Sequence, residues 1–318
     1  MTAATWRSFE PAGDGASLQR VSTTLGNPAD YADRNGYDPS FLPGLALPLP
    51  GLGAWEGDAA PLFDEALIAD NDDRHELRYR NFSVKVSRSR RLPLFSAVNI
   101  DGARSNRAVK RTNVWKYDPR ISTDYQVLRE AYGEEARGLF SRGHMTRRED
   151  PNWGEDFVLL RQSDADTFHA TNAAPQRQRF NGGIWLALED YVLDSSDNEQ
   201  IRATVLTGPV FDDDDPDYFG VKVPIEFWKI VIFFHPIFEA YRAIAYKRSQ
   251  ASYLPRRARA AAARFVFGDF QDTQVSIASL AEETGLNFSV YEPLDVMRGA
   301  ARGLSVRLSA VEDAFLSP

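Results

Sequence analysis

The chain has 318 residues, a formal net charge of −8 and no cysteine; 43% of its residues are hydrophobic and 26% are charged. The missing cysteines exclude disulfides, cysteine nucleophiles and thiolate metal sites, and the apolar content excludes a largely disordered chain. The sequence has neither a signal-peptide pattern nor an apolar run of membrane-spanning length, so we expect a soluble, cytoplasmic protein with no membrane partner.

Residues 1–75 are predicted to be a leader, separate from the main domain at residues 76–318. The leader is rich in Gly, Pro and Asp, and its prolines prevent a regular helix. The prolines concerned are Pro43, Pro48 and Pro50. We expect the leader to pack on the core, or to link to it, through four apolar side chains: Tyr37, Phe41, Leu42 and Leu45.

Several stretches carry the apolar patterns of β-strands. Tyr79–Ser89 and Leu92–Ile100 alternate on either side of a double arginine, which predicts a β-hairpin. Residues 201–211 form an apolar run that predicts a buried strand. Residues 226–234 and 239–249 predict a strand pair around a His-Pro turn.

Four other stretches carry helical spacing. The clearest is residues 180–196, whose apolar side chains recur on one face. Residues 122–140 begin with a suitable capping serine and predict one helix or two short ones. Residues 256–265 and 276–286 predict two further helices, the second ending at Gly285, where glycine suits a left-handed C-terminal cap.

The basic residues are concentrated in one part of the sequence. From Arg74 to Arg148 there are 18 Lys and Arg against 7 Asp and Glu, a local charge of +11 in a chain of net charge −8. Such a segment indicates a nucleic-acid partner, and a solvated basic face is the alternative. Trp153 follows this segment and is either a stacking platform for a base or an anchor for its own loop.

The four histidines differ in their sequence neighbours. His144 directly follows an Arg-Gly pair and precedes two further arginines, whereas His75, His169 and His235 have no such setting. Cleavage of a phosphodiester needs a base, a cation for the phosphate oxygens and a group that stabilises the leaving oxygen. His144, a metal ion and Arg142 could supply these three functions.

Any metal ligands must be oxygen or amide groups, because cysteine is absent and the histidines are scattered. Asn172, Asn181 and Glu189 are the candidates around the predicted helix of residues 180–196. Eight residues of α-helix turn the chain by about 80° and advance it by about 12 Å, so Glu189 would reach an ion near Asn181 through water. This scheme favours Mg²⁺, which keeps several of its waters.

The spacing of these residues resembles a known family. The stretch SRGH at residues 141–144 is followed by NAAPQ at 172–176, then by Asn181 and by Glu189 eight residues further on. These motifs resemble the Asp-Arg-Gly-His, Asn-x-x-Pro-Gln, Asn and Glu of the DNA/RNA non-specific endonucleases with a ββα-metal active site, the endonuclease G-like nucleases. The resemblance extends over residues 79–293, with serine at 141 where most members have aspartate.

The resemblance implies an α+β fold in which helices flank a central mixed or antiparallel sheet, with a ββα-metal site between Arg142 and Glu189. It implies hydrolysis of phosphodiester bonds in DNA and RNA with little sequence preference, leaving 5′-phosphates and 3′-hydroxyls. The implied cofactor is Mg²⁺, with Mn²⁺ as the alternative ion. Family members are often homodimers, so a homodimer is expected.

The resemblance also assigns functions to particular residues. His144 becomes the general base, Asn181 the only direct protein ligand of Mg²⁺, and Glu189 the carboxylate that reaches the ion through water. Asn172 would orient the histidine or the water around the ion. Since a histidine base must be deprotonated, activity is expected to rise with pH.

Arginines complete the predicted site. Arg142 would contact phosphate or the leaving group, and Arg111 resembles the family's second phosphate arginine, with Arg107 or Lys110 as alternatives. Further contacts with substrate are predicted for the two arginines that follow the histidine, Arg147 and Arg148.

Two rival functions remain open at this point. One is a regulated effector nuclease, for example in bacterial antiviral defence, held inactive until a partner or ligand engages the leader. The other is a nucleic-acid binding module whose catalytic site is dead. Cleavage measured on the pure protein separates these from a constitutive nuclease.

Overall fold

The computed structural model describes residues 20–66, 73–132, 139–177, 180, 201–235, 238–254, 272–299 and 305–307. The predicted helix at residues 256–265, and all but the first residue of the one predicted at 180–196, lie outside these ranges. Within them no helix has the length and apolar character needed to cross a membrane.

Fourteen strands and two α-helices are present in the described ranges. The strands are β1 Arg20–Ser22, β2 Leu77–Tyr79, β3 Phe82–Val86, β4 Pro93–Asp101, β5 Val114–Lys116, β6 Ser141–His144, β7 Ala173–Gln176, β8 Arg202–Val210, β9 Asp217–Tyr218, β10 Val221–Lys222, β11 Glu226–His235, β12 Ala240–Ser249, β13 Asp272–Val275 and β14 Ser305–Arg307. The helices are α1 Phe157–Asp166 and α2 Ile277–Thr284.

Eight of these strands form one antiparallel sheet in the order β14-β13-β12-β11-β8-β4-β3-β2. The predicted hairpin is confirmed as β3 and β4, the predicted buried strand as β8, and the predicted strand pair as β11 and β12. The fold is therefore α+β with a large antiparallel sheet, as the sequence indicated. Smaller two-stranded pairs, β1 with β5, β6 with β7 and β9 with β10, lie outside the large sheet.

The large sheet is buried on both faces because successive side chains of a strand point to opposite sides. In β11, Val231 and Phe233 pack with one apolar cluster, whereas Ile230 and Ile232 pack with another. A strand covered on both faces reads as a continuous apolar run, and this explains the uninterrupted apolar stretch in the middle of β11.

The leader contacts both sides of the large sheet. Tyr31 and Leu62 belong to the cluster on the face that contains Val231. Tyr37, Phe41 and Leu42 are buried in the cluster on the other face, and Leu45 packs against its edge. These four apolar leader residues thus contact the core.

The helix predicted over residues 122–140 is wrong for the part that is described. Ser122 does act as a cap, but only Thr123–Tyr125 forms a 3₁₀ turn. The side chain of Gln126 is buried and exchanges hydrogen bonds with the backbone of Asp118, so Gln126 adopts an extended conformation that ends the turn. By contrast, the helix predicted at 276–286 is confirmed as α2, and Gly285 ends it with a positive φ of 69°.

Short 3₁₀ turns occupy many of the connections. They are Pro28–Tyr31, Gly53–Trp55, Asp64–Ala66, Gly102–Arg104, Thr123–Tyr125, Ala170–Asn172, Ala251–Tyr253 and Glu292–Leu294. The turn Ala170–Asn172 leads directly into β7 and so positions one strand of the pair that carries the candidate site.

Candidate active site

The candidate site is built on the antiparallel pair β6–β7, a ribbon separate from the large sheet. His144 lies opposite Ala173, and Ser141 lies opposite Gln176. The Ser141 hydroxyl also donates to the Gln176 carbonyl at 2.9 Å, which closes the far end of the ribbon. The two motifs that lie far apart in the sequence, SRGH and NAAPQ, are therefore brought side by side.

Gly143 is required by a close approach within this ribbon. A Cβ atom at this position would lie 1.9 Å from the Gln176 Oε1 atom, because the Gln176 side chain crosses directly over the glycine. Ala174 is the register partner of Gly143, so Gln176 stands two residues along on the same face. Because residue 143 is glycine, the Gln176 side chain can pack directly against the backbone of β6.

Asn172 fixes the chain that follows the histidine. Its carboxamide oxygen accepts from the Thr146 N–H at 2.9 Å, and its NH₂ donates to the carbonyls of Thr146 and Thr167 at 3.0 Å each. Its own backbone carbonyl accepts from the Met145 N–H at 2.9 Å. Asn172 is fully buried, and both of its amide donors are used on the backbone.

The imidazole of His144 packs against two aromatic side chains. Its ring centroid lies 4.8 Å from that of Trp115 and 5.1 Å from that of Phe168, the latter in an edge-on arrangement. Within the described part of the chain, its Nε2 atom is buried and has no hydrogen-bond partner. A buried polar atom left in this way costs free energy, so such atoms are uncommon unless they have a function.

The electrostatic surroundings of His144 keep it neutral. Burial is the largest cause, and the positive charges of Arg111 and Arg148 add to it; together they lower the pKa of the imidazole to about 3. In the free protein the ring is therefore already deprotonated at any pH near neutral. The expected rise of activity with pH cannot come from this group above about pH 5 unless substrate changes its pKa.

Arg111 lies on the surface next to this cluster. Its guanidinium stands over the Phe168 ring, 5.0 Å from the centroid, on the ring that also touches His144. Partial burial and the charge of Arg148 lower its pKa from the ordinary value, which still leaves it protonated. Arg107 and Lys110, the alternatives to Arg111 as the second phosphate-binding residue, lie on the same exposed loop.

Arg142 lies behind the site and not on its surface. Only 7% of the residue is exposed. Its Nε and one terminal nitrogen donate to the Leu128 carbonyl at 3.1 and 2.6 Å, and its guanidinium stands 4.8 Å from the Tyr132 ring centroid. The structure thus brings Arg142 close to the aromatic cluster but not to the exposed position expected of a phosphate fork.

The two arginines after the histidine bond to acidic side chains. Arg147 donates to Glu149 at 3.2 Å. Arg148 donates to the buried Asp164 at 3.0 Å, pairs with Glu149, and donates to the Val109 carbonyl. Arg148 therefore holds the loop that carries Arg111 against α1, while its charge acts on His144.

The local charge of +11 overstates the basic surface. Many arginines and lysines of residues 74–148 form ion pairs with acids, several of which come from outside that segment. The loop at residues 102–112 has four exposed basic residues, namely Arg104, Arg107, Lys110 and Arg111. Trp153 donates from its indole N–H to the Asn99 carbonyl at 2.7 Å, so it anchors its own loop.

The predicted ligands Asn181 and Glu189 lie outside the described residues. In the ranges that are described, no group of three or more His, Asp and Glu side chains gathers to hold a metal ion. The buried Nε2 atom of His144, which none of the described residues pairs, is compatible with chemistry beside a bound ion. The carboxamide oxygen of Asn172, the atom that could ligate an ion, already accepts from the Thr146 N–H, so Asn172 suits the orienting function better than a place in the ion's shell.

Sequence reasoning missed the aromatic wall of the site. Neither Trp115 nor Phe168 is among the predicted site residues. Both are fully buried and touch each other as well as His144, with ring centroids 5.2 Å apart. No local pattern marks them, because they approach the histidine from segments about 25 to 30 residues away in the sequence.

A neutral histidine that contacts two aromatic rings and lies in the positive field of Arg111 and Arg148 could serve acid–base chemistry on an anionic substrate. The sequence comparison agrees with this class. A sequence model of the family described as DNA/RNA non-specific endonuclease matches residues 61–293. The chain belongs to this family.

Two individual proteins are similar to the chain. The uncharacterized protein y4fB of Sinorhizobium fredii (strain NBRC 101917 / NGR234) is 36% identical over 315 residues, which cover 93% of this chain and 45% of that protein. The chain thus spans less than half the length of that relative. A chain from the crystal structure of the EndoG/EndoGI complex, which concerns the mechanism of EndoG inhibition, is 22% identical with a TM-score of 0.49, covering 69% of this chain and 86% of that chain.

Proposed function

We propose that the protein hydrolyses phosphodiester bonds in DNA and RNA without sequence preference, in a reaction that depends on Mg²⁺, with Mn²⁺ as the alternative ion. Membership in the nuclease family supports the reaction class. The observation that carries the proposal is the buried Nε2 atom of His144, to which no other described residue is hydrogen-bonded. An imidazole held neutral and left without a partner is ready to accept a proton.

His144 acts as the general base in this proposal. Water attacks phosphorus and gives a proton to the imidazole, while the bond from phosphorus to the 3′ oxygen breaks. The 3′ oxygen takes a proton from solvent and leaves as a hydroxyl, and the phosphate stays on the 5′ end of the other product. In the free protein burial holds the pKa of His144 low, and the positive charges of Arg111 and Arg148 lower it further. A bound phosphodiester would neutralise part of that positive field, raise the pKa of the imidazole, and so make it a stronger base in the complex.

Two arginines differ in their proposed functions. Arg111 is exposed and stands next to the Phe168 ring that contacts His144, so its guanidinium fork suits a direct contact with phosphate oxygens. Arg142 is buried and bonded to the Leu128 carbonyl, so it contributes its positive charge from behind the aromatic cluster. Arg147 and Arg148 are proposed to be structural more than substrate-binding. Arg147 pairs with Glu149, and Arg148 holds the loop at residues 102–112 and adds positive charge near His144.

Asn181 is the proposed direct ligand of the ion, and Glu189 would reach it through water. When bound, Mg²⁺ would neutralise charge on the phosphate oxygens and the leaving oxygen. The chain's own residues supply the rest: Asn172 holds the backbone after His144 and thereby fixes where the imidazole points. The aromatic wall of Trp115 and Phe168 keeps water away from the back of the ring.

The experiment that tests the proposal is a cleavage assay with the purified protein. Supercoiled plasmid, linear duplex, single-stranded DNA and RNA are each incubated with a titration of MgCl₂ and with EDTA. We expect cleavage of all four substrates that disappears in EDTA. Binding of nucleic acid without cleavage at any Mg²⁺ concentration would contradict the proposal.

The metal assignment has its own pair of variants. Asn181→Ala removes the proposed oxygen ligand, so its cleavage should require more Mg²⁺ and reach a lower maximum than that of wild type. Asn181→Asp keeps an oxygen at the same position and should retain metal-dependent cleavage. If Asn181→Ala follows the wild-type curve across the whole MgCl₂ titration, Asn181 is not the ligand.

Substrate binding should depend on salt and on the loop at residues 102–112. Contacts with phosphate release counterions, so removing one contact should lower the slope of log affinity against log salt by about one. We expect this for Lys110→Ala and Arg111→Ala. Arg74→Ala is the matched control, because Arg74 is exposed but pairs with Asp64 far along the chain from this loop.

A further inference from the structure

The family match begins at residue 61, yet residues before it touch the wall of the candidate site. Residues 20–34, called here the amino-terminal arm, contact the aromatic cluster of Trp115 and Phe168 through Val21 and contact His169 through Tyr31. The identity with the Sinorhizobium relative covers 93% of the chain and so extends beyond the family match. The arm therefore lies before the part of the chain that the family match covers.

The first half of the arm pairs with the strand that carries Trp115. β1 runs parallel to β5, with Val21 opposite Trp115. The Val21 side chain packs on the apolar cluster formed by Trp115 and Phe168, the two rings that enclose His144. The arm thereby supports the wall of the site from behind.

The second half of the arm is a capped 3₁₀ turn that points a tyrosine inward. Asn27 caps the turn by accepting from the Ala29 N–H, and Pro28 occupies its first position, where proline is favoured. This brings Tyr31 into the interior, where only 4% of it is exposed. Its hydroxyl lies 2.6 Å from the Nε2 atom of His169.

The direction of this hydrogen bond follows from the other ring nitrogen. The Nδ1 atom of His169 lies 2.7 Å from the Asp166 carbonyl, which can only accept, so Nδ1 carries the proton. Burial lowers the pKa of His169 well below its ordinary value, so the ring is neutral and its Nε2 atom accepts. Tyr31 is therefore the donor, and the pair has a single arrangement.

His169 connects the arm to the catalytic histidine in two ways. Its sequence neighbour Phe168 contacts the His144 ring, so the position of Phe168 affects the packing of the His144 imidazole. The His169 carbonyl also accepts from the Asn172 N–H at 2.9 Å and starts the turn whose last residue, Asn172, holds the backbone of Thr146. Both connections end at the segment that carries His144.

A salt bridge fastens the arm beyond Tyr31. Arg34 donates from two nitrogens to the two carboxylate oxygens of Asp166, at 2.7 and 3.3 Å, and Asp166 is 1% exposed. Asp166 also accepts from the Arg80 N–H at 3.0 Å. The carboxylate that anchors the arm thus belongs to the residue whose carbonyl fixes the tautomer of His169.

We propose that Tyr31 is a positioning residue for the reaction proposed above: its hydrogen bond to His169 holds Phe168 and the turn at Ala170–Asn172 in the arrangement that orients the His144 imidazole. The inference rests on the proposed function for its effect on catalysis, but its effect on the His144 ring does not depend on cleavage. Val21 supports the same wall from β1.

The test compares Tyr31→Phe with Tyr37→Phe. Tyr31→Phe removes only the hydroxyl, so we expect kcat to fall by roughly tenfold or more, with KM within roughly twofold of wild type, because a slightly misplaced base slows chemistry without changing binding. Tyr37 is a second buried leader tyrosine, whose hydroxyl donates to the Leu47 carbonyl at 2.9 Å away from the site. Its variant should keep wild-type kcat.

A second readout is independent of activity. The His144 ring is titrated by NMR in the absence of divalent ions, in wild type and in both variants. We expect Tyr31→Phe to move the midpoint of His144 up toward the ordinary histidine value, because a loosened wall admits water, and Tyr37→Phe to leave it unchanged. If Tyr31→Phe matches Tyr37→Phe in both kcat and midpoint, the positioning function is refuted.

The outcomes separate the two proposals. If wild type does not cleave nucleic acid, the proposed function fails, and the His144 midpoint alone decides on Tyr31. If Tyr31→Phe does not fold, Val21→Ala takes its place, since Val21 is only half-buried and loses two methyl groups. A wild-type midpoint in Val21→Ala would then overturn the inference, and a raised midpoint would support it.

Discussion

His144, which contacts the Phe168 ring, and His169, which follows Phe168 in the sequence, differ in the hydrogen bonds of their ring nitrogens. His169 has both ring nitrogens in hydrogen bonds, one from the Tyr31 hydroxyl and one to the Asp166 carbonyl. His144 has a buried Nε2 atom to which no described residue is bonded. Burial lowers the pKa of both, so protonation does not distinguish them. What distinguishes them is whether the proton-accepting atom is already occupied, and this is why His169 is structural and His144 is the proposed base.

The largest effect is expected for His144→Ala. Loss of a general base typically lowers the rate by about 10² to 10⁴. Nucleic-acid binding should stay near wild type, because the imidazole holds no phosphate before the reaction. Single-turnover cleavage and filter binding measure the two quantities. His75→Ala is the control, since His75 is half-buried and its ring is hydrogen-bonded to the Ala60 carbonyl. Equal cleavage rates in the two variants would contradict the proposal that His144 is the general base.

For His169→Phe the expected loss is in stability. The substitution keeps an aromatic ring but leaves the Tyr31 hydroxyl and the Asp166 carbonyl buried without their partner. Each such group costs about 1 to 3 kcal/mol, so the free energy of unfolding should fall by roughly 2 to 6 kcal/mol. Urea unfolding measures it. His144→Ala should lose clearly less, and a larger loss there would show that the two histidines have been assigned the wrong way round.

Acid should destabilise the protein through both histidines. Because their pKa values are lowered in the folded state, the unfolded chain takes up protons below about pH 6.5 that the folded protein does not bind. Stability therefore falls as the pH drops from about 6.5 toward the folded value of about 3 for His144, by up to about 1.4 kcal/mol per pH unit and proton.

His144→Gln removes the titration of His144 and leaves that of His169, so it measures the contribution of His144 to the loss of stability in acid. Urea unfolding between pH 7 and pH 4 should give a shallower decline for this variant than for wild type, by up to one proton. If the free energy of unfolding falls equally with pH in both proteins, the pKa of His144 is not lowered in the folded protein. The argument that His144 is held neutral would then be contradicted.

The smallest expected effect concerns the ribbon beside His144. In Gly143→Ala the new methyl group collides with the Gln176 side chain, and overpacking of this kind costs about 1 to 3 kcal/mol unless the side chain moves away. Combining it with Gln176→Ala should restore most of the stability and cleavage. Gly57→Ala is the control, because nothing lies within 4 Å of the added atom. Failure of the second substitution to rescue the first would mean that Gly143 is needed for another reason.

The sequence predicted the strands well because their patterns are local. The alternation of β3 and β4 and the apolar runs of β8 and β11 reflect a sheet covered on both faces. It failed over residues 122–132, where the Gln126 carboxamide ties the chain to Asp118 and overrides the helical spacing. These hydrogen bonds join a glutamine side chain to the backbone eight residues earlier, so the helix propensities of the residues do not reveal them.

The site was predictable only in part for the same reason. Motif spacing singled out His144 and Asn172, and the structure places Asn172 directly before β7, next to the residue that pairs with His144. The spacing gave no sign that Arg142 is buried or that Trp115 and Phe168 enclose the imidazole. The contact of Tyr31 with His169 joins residues 138 positions apart, so only the folded chain can reveal it.

The most direct test of the account is chemical rescue of His144→Gly. Removing the whole imidazole leaves space beside Trp115 and Phe168 that free imidazole from solution can occupy. Single-turnover cleavage of a short duplex is measured with increasing imidazole at fixed pH and Mg²⁺, in this variant and in wild type. We predict that imidazole restores part of the lost rate in a saturable way and leaves wild type unchanged. A variant that cleaves at the wild-type rate without imidazole would contradict the proposal that His144 is the general base.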